Sequence, residues 1–351
     1  MHTKAIFARS LALLLVGALP VAALVNAPAP LSAQESNPPG FDAFLQLLAA
    51  RARAEGVSEP TIQAMTTGLT YNPRVIQLDR NQPGTNPNVP PPPFAPYRVS
   101  HVDAARIARG RAVYRSLGDV GARVEARYGV PVPVILAIWG AETDYGGGKG
   151  DFDLARSLAT LAFEGRRRDL FAGEFVALLK MVDRGVPREK LVGSWAGAFG
   201  NPQFLPSVYL RVARDGDGDG LADIWSSRAD TLASIAAYFR DAGWQPGLPW
   251  GVPASVPADL DRAAIAPRLE APTCARVHNR HSQWKTVAEW RAIGVRAQAT
   301  IPDATLASLF EPDGAGKAAF LLTGNYRVIL DYNCSNYYAL SVGLLADEIA
   351  R

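Results

Sequence analysis

Between Tyr128 and Gly147 the chain reads YGVPVPVILAIWGAETDYGG, an apolar run with no charge until Glu142. Such a run is read as a helix packed into a core. Ile135, Ile138, Trp139 and Glu142 recur at helical spacing, so the carboxylate is expected on the packed face. Gly146, Gly147 and Gly148 read as the helix stop, which leaves Glu142 in the last turns, at the carbonyl end of the helix dipole. Burial and that dipole both disfavour the charged form, the condition a general acid needs near neutral pH. A structural Glu bonded to nearby backbone amides fits the same pattern, and the run alone does not separate the two.

The first 33 residues hold no acidic side chain, and His2, Lys4 and Arg9 precede the apolar stretch LALLLVGALPVAALV. That is the layout of a secretory signal peptide, with cleavage expected between Ala23 and Ala33 and a periplasmic destination. Pro20 and the short apolar length argue against a stable membrane span. Losing Lys4 and Arg9 takes the formal charge from +3 to +1, which makes nucleic acid a poor partner. The chain has two cysteines, Cys274 and Cys334, and neither lies near the leader, where a lipid-modified cysteine would stand. In an oxidising compartment two cysteines invite one disulfide, worth about 4 kcal/mol in the chain-entropy model. Two small buried thiols are the alternative.

The remaining chain is long enough for two or three packed units. Residues 34–98 hold an expected helix pair, FDAFLQLLAARARAEG and a segment opened by Pro60 after Ser58, followed by NQPGTNPNVPPPPFAP as an extended connection. Residues 99–245 read as successive helices at 102–128, 133–143, 153–163, 169–183, 204–213 and 229–242. Residues 246–322 form an expected small β-containing subdomain, with GLPWGVPASVP, RVHNR, AFLLT and, just beyond, YRVILDY read as short strands. Residues 323–351 return to helix and complete the core.

Two further segments carry chemistry. GSWAGAFGNPQFLPSVY, residues 193–209, combines small residues that permit close backbone approach with Ser194, Asn201 and Gln203, whose hydroxyl and amide groups suit the polar groups of sugars. A tight packing turn is its plainer reading. NYRVILDYNCSNYYALSVGLLAD, residues 325–347, is dense in Tyr and Asn; tyrosine gives a sugar a flat apolar face and a hydrogen-bonding tip.

Taken in order, YGVPxxxxxAIxGxET, GSxAGAxGxxQFxPSxY, an Asp/Gly loop and YNxSxxYAxxV make the chain resemble the membrane-bound lytic transglycosylase B family of peptidoglycan-cleaving enzymes, from about Tyr97 to the C-terminus. The resemblance implies a mainly α fold with a lysozyme-like catalytic core, an N-terminal helical part and a small β-containing subdomain. It implies Glu142 as the single catalytic acid/base, with Ser194, Gln203, Tyr332, Asn333 and Tyr338 lining the glycan cleft. Tyr97 and Tyr238 fall where the family has cleft tyrosines, and Arg166 and Arg167 match a basic pair that meets peptide-stem carboxylates. The implied reaction cleaves the β-1,4 bond between N-acetylmuramic acid and N-acetylglucosamine without water and closes a 1,6-anhydro ring. Hydrolytic enzymes normally need a second carboxylate, and Asp144, two residues on, points off a different helix face. A hydrolytic muramidase and an inactive peptidoglycan-binding scaffold are the alternatives. Peptidoglycan strands are the implied partner, wall-synthesis proteins are further candidates, and no cofactor is needed for the chemistry. Asn201-Pro202 before Gln203 departs from the family pattern.

The Asp/Gly loop places Asp215, Asp217, Asp219, the carbonyl of Leu221, Asp223 and Ser226 at positions 1, 3, 5, 7, 9 and 12 of an EF-hand-like loop for a structural calcium ion. Serine replaces the bidentate Glu at position 12, leaving Asp230 or water to substitute; a solvated turn is the alternative. His278 and His281 lack a third ligand nearby and are expected at the surface.

Overall fold

The computed structural model describes residues 37–82, 91–268, 271 and 274–351. The expected leader at 1–33 and half of the Pro-rich connection, 83–90, lie outside the described residues. No helix among the described residues is long and apolar enough to cross a membrane.

The chain opens with α1 (Phe41–Ala54), α2 (Glu59–Thr66), α3 (Pro73–Arg80) and α4 (Phe94–His101). Ser58 caps α2 and Asn72 caps α3, their side chains accepting the N–H of Thr61 and Arg74. The sequence reading foresaw only α1 and α2. Pro73 starts α3 and Pro96 sits in the first turn of α4, positions where proline's missing N–H costs no hydrogen bond, so these prolines open helices rather than extend a linker.

Next come α5 (Ala104–Ser116), α6 (Asp119–Tyr128), α7 (Val132–Thr143), α8 (Leu154–Glu164), α9 (Arg168–Asp183), α10 (Pro206–Val212) and α11 (Arg228–Asp241). Two short strands, β1 (Phe152–Asp153) and β2 (Val192–Gly193), pair antiparallel beside them. Helix α7 is buried on every side from Val132 to Gly140, as a helix apolar all round must be. Burying each of Ile135, Leu136 and Ile138, all fully inaccessible, contributes about 1.5–3 kcal/mol. The packed face therefore does not by itself aim Glu142; the end of the helix does.

That end comes before the glycines. Asp144 and Tyr145 take left-handed conformations, with φ of 53° and 60°, and the Asp144 N–H closes on Gly140 O at 3.1 Å. The cause is packing: the Tyr145 ring folds back on Gly140, where an added Cβ would stand 2.6 Å from the ring.

A five-stranded antiparallel sheet follows, in the order β4-β6-β7-β3-β5, from β3 (Gly251–Ser255), β4 (Trp284–Thr286), β5 (Arg296–Ala297), β6 (Leu306–Phe310) and β7 (Ala319–Leu322). It has its own apolar cluster around Trp290, whose Nε1–H donates to Ala307 O at 2.9 Å. Two stretches read as strands are helical: RVHNR overlaps α12 (Ala275–His278), and YRVILDY lies in α14 (Gly324–Tyr332). A third helix here, α13 (Val287–Ala292), carries Trp290. In α14, Tyr326, Ile329 and Leu330 are fully buried at i, i+3 and i+4, and Thr323 caps the first turn. The last helix, α15 (Asn336–Ala350), lies along α7.

Cys274 and Cys334 are disulfide-bonded with Cα atoms 5.8 Å apart, tying α12 to the residue after Asn333. Contrary to the surface expectation, His281 is buried, its Nε2 2.7 Å from Asn336 Oδ1, and His278 is half-buried against it. Burial pushes both imidazoles down to about 4.

Candidate active site

The last turn of α7 opens into a cavity of about 860 Å³ whose walls come from α4, α5, α7, α9, α10, α11, the end of α14 and the turn after it, and α15. Glu142 is half-buried in that wall. Tyr338, one turn into α15, donates its hydroxyl proton to Glu142 Oε1 at 2.7 Å. Ser335 caps α15 by accepting the Tyr338 N–H, so the hydroxyl is aimed by a defined helix start. Burial first, and then the Glu142 charge, push the Tyr338 hydroxyl well above its ordinary value, which keeps it a donor. The same two causes raise Tyr97 to about 12, with Arg106 opposing them.

The opposite wall is the loop after β2. Short backbone bridges from Gly193 to Phe199 and from Phe199 to Phe204 fold it on itself. Gly150 approaches it so closely that a Cβ would lie 2.3 Å from Gly193 O. Ser194 Oγ accepts the Ala198 N–H at 3.0 Å, and Gln203 Nε2 donates to Gly200 O at 3.0 Å. Gln203 sits at φ 51°, a left-handed position that turns its side chain into the cavity.

Three more carboxylates line the cavity. Asp144 pairs with Arg109 at 2.8 Å and stands 3.8 Å from Arg106 Nε. Glu174, buried on α9, accepts both the N–H and the hydroxyl of Ser207 at 2.9 and 2.7 Å. Asp331 is exposed at the rim, its backbone carbonyl accepting the Tyr238 hydroxyl at 2.9 Å. Glu142 and Glu174 each accept a neutral hydroxyl, of Tyr338 and Ser207, whereas Asp144 is held by arginines.

The family model described as Transglycosylase SLT domain matches residues 40–347. The chain belongs to this family. It is a lytic transglycosylase of mainly α, lysozyme-like fold that cleaves peptidoglycan, and no cofactor is required for catalysis in the family. The membrane-bound lytic murein transglycosylase B of Escherichia coli strain K12 is 28% identical over 322 residues, covering 90% of this chain and 84% of that protein. SltB3 from Pseudomonas aeruginosa, solved in complex with NAG-NAM-pentapeptide and with NAG-anhNAM-pentapeptide, is 36% identical with a TM-score of 0.78, over 88% of this chain and 79% of that one. An Escherichia coli lytic transglycosylase solved in complex with calcium is 27% identical with a TM-score of 0.71, over 90% of this chain and 94% of that one.

Within this SLT-family cleft, Glu142, Tyr97, Ser194, Gln203, Tyr238, Asn333, Tyr338 and Arg167 meet around one cavity. Tyr332 does not line it. Its ring is fully buried behind Tyr238, with centroids 4.7 Å apart, and its hydroxyl donates to Pro202 O. Asn201 is likewise behind the wall, donating to Thr231 Oγ1 at 2.9 Å. Arg166 and Arg167 are both answered by Asp79 of α3, at 2.5 and 2.7 Å, and Arg166 lies off the cavity. Their neutralising partner comes from about ninety residues upstream, which no local motif announces.

The Asp/Gly loop gathers a different set from the one its spacing suggested. Carboxylate oxygens of Asp215, Asp217 and Asp230 lie within 4.8 Å of one another. Asp219 instead accepts the Leu221 N–H, while Asp223 accepts Lys190 Nζ at 2.7 Å and the Ser226 hydroxyl, so Asp223 and Ser226 satisfy each other. Asp230 enters because Ser227 caps α11 and turns its first carboxylate back under the loop, where it accepts the N–H of Gly216 and Asp223. Burial, and to a smaller degree the charge of Asp217, push Asp230 upward. Three clustered oxygens of one charge form a hard donor set that fits a divalent cation.

Sequence reasoning passed over His101, Arg106, Glu174, Ser207, Arg211 and Asp331, which also line the cavity. Glu174 alone offered a signal, as a lone acid in the apolar stretch of α9, FAGEFVALL. The others reach the cleft only through helix packing.

Proposed function

We propose that this enzyme cleaves the β-1,4 bond between N-acetylmuramic acid and N-acetylglucosamine with Glu142 as its one acid/base, releasing 1,6-anhydro-muramoyl ends. The observation that carries the reading is the Tyr338–Glu142 hydrogen bond in a cleft where Asp144 and Glu174 are already engaged. A neutral donor on one carboxylate oxygen fixes the side chain in the cleft wall. Glu142 then protonates the leaving oxygen, the substrate's 2-acetamido group supports the charge at C1, and the carboxylate takes a proton from the muramoyl 6-hydroxyl, which attacks C1. Tethering that hydroxyl within the same sugar gives it a large effective concentration over water. Ser194, Gln203, Asn333, Tyr97 and Tyr238 are read as the groups that hold the ring, and the SltB3 complexes with both NAM and anhNAM sugars support this.

The leader-like first 33 residues support a periplasmic location for this activity. Asp215, Asp217 and Asp230 would hold a structural calcium ion, which would neutralise the cluster and brace the start of α11. The parts 34–98, 99–245, 246–322 and 323–351 are proposed as the working division of the chain, supported by the separate apolar cluster of the sheet. Mass spectrometry of digested sacculi tests the reaction. Anhydro ends are expected about 18 mass units lighter than hydrolytic ones, because no water is added. Reducing-end products carrying oxygen from labelled water would establish a hydrolase.

A further inference from the structure

We propose that His101 is a glycan-recognising residue of the cleft, its Nε2 accepting a hydrogen bond from a sugar hydroxyl or acetamido N–H. The inference rests on the glycan occupying this cleft and adds a contact that the sequence motifs do not contain.

His101 is the last residue of α4, half-buried in the cavity wall. Its ring lies flat on Tyr97, with centroids 3.7 Å apart and planes 4° from parallel. Nδ1 stands 2.8 Å from Tyr97 O and 2.9 Å from Ser100 Oγ. A backbone carbonyl can only accept, so Nδ1 must carry the ring proton. The Ser100 hydroxyl spends its own proton on Tyr97 O, at 2.9 Å, and its oxygen is left to accept from Nδ1. The tautomer is thereby set, and Nε2 is left with a lone pair and no hydrogen-bond partner among the described residues. Burial pushes the imidazole below its ordinary value, which keeps that lone pair free of a proton near neutral pH.

The ring is also held in place. Arg106 Nη1 donates to His101 O at 2.8 Å, fixing the end of α4 against the start of α5. Around the cavity, the acceptors on Glu142, Glu174 and Asp144 already receive Tyr338, Ser207 and Arg109. His101 Nε2 therefore adds a neutral, preset acceptor. A lone pair repels a peptide-stem carboxylate and takes a polar hydrogen, which the hydroxyl and acetamido groups of the glycan supply with or without a stem.

Two variants separate acceptor from ring. His101→Phe keeps a flat ring against Tyr97 and loses the acceptor, whereas His101→Gln can present its amide oxygen near the Nε2 position. The substrate is glycan strands freed of peptide by an amidase, so that stem contacts contribute nothing. His101→Phe should raise KM about five- to tenfold with kcat kept and the melting temperature unchanged, and His101→Gln should lie closer to wild type. Wild-type KM in His101→Phe, or a His101→Gln no better than His101→Phe, overturns the inference. Either result, in an enzyme that still releases anhydro ends, leaves the proposed reaction standing; a wild type that releases none sinks both.

Discussion

The helical core and the small sheet are held together by different means. In the core, α7 and α15 lie against each other along apolar faces, and the chemistry sits where that packing ends. The sheet surrounds one tryptophan, Trp290, and joins the core through apolar side chains, Trp250, Phe310, Phe320 and Leu322, together with specific contacts: the Cys274–Cys334 bond, His281 to Asn336, and Trp250 Nε1 to Asp347 at 3.2 Å. Close packing makes the core sensitive to side-chain volume. Directional contacts make the junction sensitive to redox state and proton concentration, and they meet the cleft beside Asn333.

The largest expected effect belongs to the core. Glu142→Gln keeps the side chain's shape and removes its proton, so turnover should fall by about two to four decades with the melting temperature unchanged. A variant retaining a tenth or more of wild-type turnover on sacculi would remove Glu142 from the mechanism.

At the junction, opening the Cys274–Cys334 loop should cost about 4 kcal/mol in the chain-entropy model, read as a lower denaturation midpoint after reduction. Thiol titration of denatured, unreduced protein should find none free; two per chain would dissolve the covalent half of the contrast.

Proton concentration acts at the same place with a defined sign. His281 titrates near 6.5 when unfolded and is pushed by burial to about 4 when folded, so between those values the unfolded chain binds more protons. Stability should fall as pH drops from about 6.5 to about 4 and then level, by about 1–2 kcal/mol between pH 7 and 5 from this residue. His278 adds in the same direction. Denaturation midpoints equal at pH 7 and 5 would show that the junction does not sense protons.

Much of this was legible in the sequence, and the failures share a cause. The helices from α7 to α11 and the segments bearing Glu142, Gln203 and Tyr338 follow from local periodicity and motif, whereas the stretch read as helical over 102–128 is two helices, α5 and α6, parted at Leu117 and Gly118. The misreadings depend on contacts distant in the chain: Asp79 claiming Arg166 and Arg167, Tyr238 and Pro202 covering Tyr332, and Asn336 drawing His281 inside. YRVILDY was misassigned because aromatic and β-branched residues suit both periods, and only the burial of Tyr326, Ile329 and Leu330 selects the helix.

Smaller effects sharpen the picture of the cleft. Tyr338→Phe removes the donor to Glu142 while keeping the ring, and kcat should drop about tenfold with little change in KM. A KM effect alone would make Tyr338 a sugar contact rather than a positioning residue. Asp331→Asn should be the mildest, leaving rate within about twofold and anhydro products intact, because a one-acid mechanism has no work for the rim carboxylate. A large loss would supply the second carboxylate that a hydrolase requires.

The fold-back of Tyr145 reaches further than its place at the end of α7 suggests. Its hydroxyl crosses to Gly110, where an added methyl would meet it at 2.4 Å and Ile349 at 2.7 Å. Gly110 lies on α5, thirty-two residues before the acid and with no contact to the substrate cleft of its own. Any side chain there has to displace the ring that ends α7, and the ring carries the last turn with it. The route by which inherited variation could silence this enzyme therefore includes a glycine that an inspection of the active site would pass over.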